Sequence, residues 1–344
     1  MKICDYSLFD AFSSDFEPKA FIDTKQLREN VKNVKKRVYE CQVCAVVKAD
    51  AYGHGICRVS QEIEDLCDRF AVGSFYEGKA LRLAGIKKPI ICLLPLADIK
   101  GAQFYDIEIS AVNTCDFERV LRQKTDDFPA PKVHFAVNSG MNRFGYDSID
   151  LLKKDIKKAK NSGVNVVGVY SHFYNSADYF SALRQFNAFK PYIYEVKSQY
   201  PAAIAHIASS GSIEYGEFNC DMVRIGLLIY GYRSIIGNFD VKPIMKIVAK
   251  TAQKRTVNAG ENLLYGDYKL DKTEQISILS YGYHNGIEDF YNGLNTNCMN
   301  VSAVSGSNDY YDLSFDLERI AKQSGDGIYK TLIKAGRVRE KIYY

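Results

Sequence analysis

Ala45-Val46-Val47-Lys48-Ala49-Asp50-Ala51-Tyr52-Gly53-His54-Gly55 carries an apolar run into a lysine and then into a polar, glycine-rich segment. Val43 to Val47 reads as a buried strand, and Lys48 stands at its end. An ammonium at the end of a buried strand is costly to desolvate unless something compensates it. The lysine either snorkels to water along its own stem or serves as a Schiff-base lysine whose amine a desolvated pocket makes nucleophilic. The neighbours favour the second reading. Tyr52 offers a hydroxyl four residues on, and Gly53 and Gly55 let backbone come close to a ligand.

Outward from this stretch, short apolar runs recur with helical segments between them. After the lysine strand come strands at Arg69–Ser74, Pro89–Leu94, Glu108–Asn113, Pro131–Val137, Asn165–Ser171, Ala202–Ala208 and Asp221–Gly231. A helix from Lys25 to about Tyr39, opened by Thr24, precedes them. Eight strands alternating with helices predict an α/β fold, a (β/α)8 TIM barrel. From Asp240 onward the pattern changes to strand-like runs, glycine turns and tyrosines, with only a short helix expected near Leu317 to Gln323. The expected division is an N-terminal segment 1–14 associated with the C-terminal domain, a barrel over 15–236, and a smaller, mainly β domain over 237–344.

Composition narrows the class. The 344 residues are 47% hydrophobic and 25% charged, ordinary for a globular chain. A net charge of +4 is too small and too dispersed to argue for nucleic acid. The basic run Lys32 to Arg37 alternates with apolar residues and reads as a solvated helix face. No apolar stretch reaches the roughly 20 residues of a membrane span, and the N-terminus lacks the basic head and apolar core of a signal peptide. Nine cysteines at irregular spacing fit a reducing cytoplasm. Cys41-x-x-Cys44 and His54-x-x-Cys57 have no second pair, so they read as core packing, and no metal site is expected.

A barrel of this kind carries its active site at the C-terminal strand ends. Those ends bring Lys48, Ser74, Arg143, His172, Ser209, Ser210, Arg224 and Gly226 to one rim, cationic and rich in hydroxyls. Such a rim suits a phosphorylated anion, with Ser210-Gly211-Ser212 and Arg224-Ile225-Gly226-Leu227 as the phosphate loops. Singly, a serine can be a helix cap and Arg224 can be the ion-pair partner of a carboxylate such as Asp221. Together they point to a cofactor.

The segment V-V-K-A-D-A-Y-G-H-G resembles the cofactor-lysine signature of alanine racemases, fold-type III pyridoxal-phosphate enzymes, with Asp50 for the usual asparagine. Asn138-Ser139-Gly140-Met141-Asn142-Arg143-Phe144-Gly145 looks like that family's D-T-G-M-x-R-x-G. Ser171-His172-Phe173 looks like its T-H-F, and His206-Ile207-Ala208-Ser209-Ser210 like H-I-x-N-S. Val223-Arg224-Ile225-Gly226 with Tyr230-Gly231 is similar to V-R-P-G-x-x-x-Y-G. Leu264-Tyr265-Gly266 is similar to S-Y-G, Gly282 to Gly286 to G-Y-A-D-G, and Tyr329-Lys330 with Arg337-Val338-Arg339 to Y-E and R-V-P-R.

The resemblance implies a cytoplasmic racemase of a small amino acid, first alanine for peptidoglycan, with pyridoxal 5'-phosphate as cofactor. It implies that Lys48 binds the cofactor covalently and is one catalytic base, and that Tyr265 is the other, supplied across a homodimer. Tyr52, Ser210, Gly226, Leu227 and Tyr329 would hold the phosphate. Arg143 would face the phenolic oxygen and take part in substrate binding, Arg224 would face the ring nitrogen, and His172 would link Arg224 to the tyrosine. Tyr283 and Gly306 would line the substrate's place. Three departures stand out: Ala136 where many members carbamylate a lysine, so that Arg143 must be braced by an anion or by Asn138; Ser209 for asparagine; and Ser305-Gly306-Ser307 at the expected C-M-D segment, which would leave a roomier, more polar pocket. The alternatives are a serine or broad-spectrum racemase, and a cofactor-binding protein without racemase activity.

Overall fold

The computed structural model describes residues 16–38, 40–233, 239–265, 269–286, 298–314 and 317–344. The expected N-terminal segment 1–14 lies outside them. The described chain separates into two compact units: one within residues 24–51 and 56–243, the other within 16–23, 52–55 and 244–344.

The first unit contains eight strands in one parallel sheet. Strand β1 (Lys19–Ile22) belongs to the second unit, so the barrel's strands run from β2 (Gln42–Val46) through β3 (Arg69–Val72), β4 (Ile90–Cys92), β5 (Ile107–Ala111), β6 (Lys132–Ala136), β7 (Asn165–Tyr170) and β8 (Ile204–His206) to β9 (Met222–Ile225). Their order is β8-β7-β6-β5-β4-β3-β2-β9. The two ends of that path meet through a parallel bridge, Ser209 to Arg224, and through backbone bonds from Arg224 to Ala208 and Asp221 to Ala205. This is the expected (β/α)8 barrel. Its strands are buried on both faces, which is why they read as apolar runs without alternation.

The helices start where a short polar side chain follows a strand. Ser74, Asp98, Asn113, Ser148 and Asp178 each accept a backbone N–H of the following helical turn. Each such cap is worth about 1 kcal/mol. The first helix, Thr24–Arg37, buries Leu27, Val31 and Val34 on one face. Its Asn30 reaches across to the Ile229 and Lys242 carbonyls at 3.1 and 2.9 Å.

The second unit is built on β10 (Met245–Val257), β11 (Glu274–Leu279), β12 (Ser302–Ser305), β13 (Tyr310–Asp312) and β14 (Glu340–Tyr343), ordered β12-β11-β10-β1-β14 with β13 also on β10. Residues 16–23 therefore group with this sheet, not with the barrel to which 15–236 was assigned: Lys19 pairs with Val248 on one side and Glu340 on the other. Val257, Leu263, Leu270, Ile276 and Ala303 form a core in this unit. Two helices follow, Leu317–Ser324 and Gly327–Ala335. Only the first was expected. The second starts beyond Asp326, whose carboxylate pairs with Lys330 and with Lys334. Among the described residues no helix is long and apolar enough to cross a membrane.

Candidate active site

Lys48 follows the end of β2, and the backbone after it is unusual. Ala49, Asp50, Ala51 and Tyr52 have φ of 55°, 55°, 53° and 54°, a left-handed helical turn made entirely of L residues. That conformation costs about 1–2 kcal/mol per residue, so strain is stored next to the lysine. Hydrogen bonds hold the turn. Ala51 N–H donates to the Val47 carbonyl at 2.8 Å, Ala49 N–H to Glu77 Oε1 at 2.6 Å, and Ile56 N–H to Asp50 Oδ1 at 2.8 Å. Glu77 also accepts from Gly73 N–H at 2.7 Å. Sequence reading missed Glu77, although Ser74-x-x-Glu77 has the spacing of a capping box. The carboxylate uses its position in the first helical turn to reach the lysine segment instead.

Burial, then the cations of Arg143 and Arg224, lower the Lys48 ammonium from its ordinary range, while Glu77 acts in the opposite sense. The amine is thereby shifted toward its neutral, nucleophilic form.

Arg224, on β9, is buried, and among the described residues no carboxylate pairs with it. Its guanidinium donates to the carbonyls of Ser171 (2.7 Å), His206 (3.0 Å) and Ile207 (3.3 Å), and it meets His206 Nδ1 at 2.5 Å and His172 Nδ1 at 3.2 Å. Asp221, the candidate ion-pair partner, bonds instead to Lys197 and to the Ala205 N–H. Burial and the cations Arg224, Arg143 and Lys48 bring His172 down to about 3, so its ring is neutral. Because a guanidinium only donates, His172 Nδ1 is the acceptor and its proton sits on Nε2.

Ser210 is buried, and its hydroxyl accepts the Gly226 N–H at 3.0 Å. Gly226 and Leu227 open a tight turn in which Ile229 bonds back to Gly226 and Tyr230 to Leu227. Backbone donors at the start of such a turn suit an anion. Ser209, in the asparagine's place, bridges to Arg224 by backbone.

Arg143 is exposed on the loop after β6. Asn138, considered as its brace, uses its amide on the loop itself. The oxygen accepts from Gly140 and Asn142 N–H, and the NH2 reaches Asn142 and Asp147. Gly145, at φ 122°, is needed because a Cβ there would strike the Val137–Asn138 backbone. Ala136 packs with Val112 and Tyr170 in an apolar cluster.

In the second unit, Tyr52 and Tyr329 meet edge-on with ring centroids 5.5 Å apart. Burial raises the Tyr52 hydroxyl, which stays a neutral donor. Tyr265 is 80% exposed and follows Leu264, itself at φ 56°; Gly266 lies outside the described residues. Tyr265 and Tyr283 line one open cleft of about 690 Å³ together with Leu264, Cys298, Met299, Asn300 and Val301. Gly306 is not among its lining residues, and its N–H donates to the Gln275 carbonyl at 2.7 Å as part of the sheet. The segment that accompanies the two tyrosines is Cys298-Met299-Asn300, seven residues before the one expected. The signal was in plain sight, since C-M-N is one residue away from C-M-D. Gly282 lets this segment approach, as a Cβ there would collide with the Met299 carbonyl. Among the described residues no group of three His, Cys, Asp or Glu is placed to hold a metal ion.

The profile of a family described as alanine racemase, N-terminal domain, matches residues 22–234. Alanine racemase 2 of Clostridium acetobutylicum is 32% identical over 286 residues, 78% of this chain and 71% of the relative. Alanine racemase of Treponema denticola is 32% identical over 291 residues, covering 80% and 77%. Among solved structures, alanine racemase of Clostridium difficile superimposes with a TM-score of 0.89 at 25% identity, over 95% of this chain and 96% of that one. A barrel rim of this chemistry and these matches agree: the chain belongs to the alanine racemase family.

Proposed function

We propose that this protein interconverts the enantiomers of alanine with pyridoxal 5'-phosphate as cofactor, supplying D-alanine for peptidoglycan. The observation that carries the reading is the convergence on one rim of a lysine shifted toward neutrality, a buried guanidinium held by backbone carbonyls and imidazoles, and the Ser210–Gly226 corner. That donor set fits a phosphorylated aldehyde with a ring nitrogen: an amine for the aldehyde, hydroxyl and backbone N–H groups for the phosphate, and a cation for the ring. When bound, the cofactor supplies a sink for the electron pair left at the substrate's Cα.

Lys48 would hold it covalently, and Ser210, Gly226 and Leu227 would bind the phosphate, with Tyr52 and Tyr329 assigned to the same group by family likeness. Arg143 would face the phenolic oxygen. Arg224, fixed by three carbonyls, would donate to the ring nitrogen and keep it unprotonated, which weakens the sink and disfavours side reactions. Racemisation needs a proton removed from one side of Cα and returned on the other. Lys48 Nζ would serve one side and Tyr265 of the partner subunit the other, so the working form would be a homodimer. The exposure of Tyr265 within one chain supports that assignment. The Cys298-Met299-Asn300 segment and Tyr283, which share a cleft with Tyr265 and would come from the same subunit as it, would hold the substrate carboxylate.

A wider substrate range rested on a polar Ser305-Gly306-Ser307 lining. The cleft that Cys298-Met299-Asn300 shares with Tyr265 and Tyr283 favours that segment for the role instead, which would remove this support for serine, and alanine stands first. A carrier without activity would have no use for the second unit or for Tyr265. The test is racemisation of L-alanine and L-serine by protein supplied with the cofactor, with borohydride trapping and peptide mapping. Alanine turnover and an adduct on Lys48 are expected; an adduct elsewhere, or serine turnover without alanine, overturns the reading.

A further inference from the structure

Beneath the rim, a line of polar groups crosses the barrel interior. The Arg69 guanidinium lies 2.6 Å from a Glu108 oxygen. Glu108 Oε2 is 2.9 Å from His134 Nε2, His134 Nδ1 is 3.2 Å from His206 Nε2, and His206 Nδ1 is 2.5 Å from Arg224. Glu108, His134, His206 and Arg224 are all buried, at 3%, 0%, 0% and 4% exposure. They stand on β5, β6, β8 and β9, so the line skips β7, and Gly168 is the residue of β7 opposite His134. A Cβ on Gly168 would collide with His134 Nδ1 and with the Ile204 carbonyl. The missing side chain is what leaves room for the two imidazoles to meet. The Tyr170 ring stacks on His206 at 5.1 Å and 10°.

The two ends of the line determine every proton in it. A guanidinium can only donate and a carboxylate can only accept. Arg224 therefore finds a lone pair on His206 Nδ1, and the His206 proton is on Nε2. That proton meets a lone pair on His134 Nδ1, and the His134 proton on Nε2 is donated to Glu108. Both rings are neutral, in keeping with burial, which lowers His134 and takes His206 well below its ordinary range. Burial acts to raise the Glu108 carboxyl, but His134 and Arg69 outweigh it and hold the group at about 2.

We propose that Glu108 is a positioning residue for Arg224: as the acceptor-only end of the line it forces one direction of hydrogen bonding through His134 and His206 and so pins the guanidinium at the rim. This rests on the reading that Arg224 faces the cofactor. An amide at position 108 can donate as well as accept. His134 can then carry its proton on Nδ1, His206 must do the same, and an N–H replaces the lone pair in front of Arg224. The guanidinium loses that anchor although every residue that touches it is unchanged.

The test uses the full chain labelled with ¹⁵N-histidine. In the wild type both His134 and His206 should give the nitrogen shifts of the neutral Nε2–H form. Glu108→Gln should shift His206 toward Nδ1–H, displace the visible band of the holoenzyme, and lower kcat about 10- to 100-fold with KM little changed, the scale expected when a positioned group moves. Glu108→Asp should restore much of both. Gly168→Ala, which removes no ionisable group, should displace the same visible band and lower kcat by separating the two rings, while Arg224 keeps the His206 proton on Nε2. A wild-type His206 that is protonated or in the Nδ1–H form overturns the proposal. So does a folded Glu108→Gln protein with unchanged histidine shifts, band and kcat. If the wild type binds no cofactor the functional reading fails, while the histidine shifts still decide the direction of the line.

Discussion

The left-handed turn after Lys48 makes a prediction about stability whose sign is opposite to the usual one. Ala49 is exposed, so Ala49→Gly removes almost no buried surface and keeps the N–H that donates to Glu77. At φ 55° an alanine carries a penalty of about 1–2 kcal/mol that glycine does not. Against this, glycine gives the unfolded chain extra freedom worth about 0.4–1 kcal/mol. The balance is a gain of roughly 0.5–1 kcal/mol. Ala188 provides the control: it is equally exposed but lies within the right-handed helix Tyr179–Gln199. There Ala188→Gly should lose about 0.5–1 kcal/mol. Urea unfolding followed by far-ultraviolet circular dichroism should move the midpoint up for one variant and down for the other. In thermal unfolding the difference should be several degrees, at about 2–4 °C per kcal/mol for a unit of this size. Equal losses in the two variants would refute the strained turn. If the strain serves to hold the lysine, Ala49→Gly should also lower kcat while it raises stability.

Tyr265→Phe should leave the cofactor attached and reduce racemisation by about 10²–10⁴-fold, the usual contribution of a general acid–base group. Solvent deuterium should still enter Cα of one alanine enantiomer through Lys48; exchange into both at the wild-type rate would show that the second base lies elsewhere. Stability should fall as pH drops below about 6.5, because His134, His172 and His206 stay neutral when folded and take up protons when unfolded. Glu108, depressed to about 2, adds to the loss below the ordinary carboxylate range, as its stabilising charge is titrated away. A urea midpoint that does not change between pH 7.5 and 4 would contradict both. Ser148→Ala, which removes the hydroxyl accepting the Leu151 N–H, should cost about 1 kcal/mol without altering kcat.

Much of the barrel was legible because parallel strands buried on both faces leave unbroken apolar runs, and eight of them in alternation with capped helices have few other solutions. The rim was legible for a related reason: a polar residue ending such a run needs a function. What sequence concealed was of two kinds. Strand β1 is fully buried and apolar like its barrel counterparts, and only its partners, Val248 and Glu340, reveal which sheet it joins. The left-handed turn and the Arg69–Glu108–His134–His206–Arg224 line are also tertiary, since Glu108 alone reads as one charge inside an apolar strand. The cleft beside Tyr265 was a different case: Cys298-Met299-Asn300 lines it, seven residues before the segment expected there, because the intervening sequence carries no periodic pattern to fix the spacing.

Strand β1 has one further consequence, for how the protein is made. Its ladder with β14, like the Lys19–Glu340 ion pair, joins residues 321 positions apart. At about 5–20 residues per second a ribosome needs roughly 20–60 s to travel that distance. Throughout that interval the nascent chain carries an unmated edge, Lys-Ala-Phe-Ile, which can zip onto a stranger as readily as onto β14. Final closure of the sheet thus waits on the synthesis of Glu340–Tyr343, and a premature stop just before them would leave β1 paired with β10 alone.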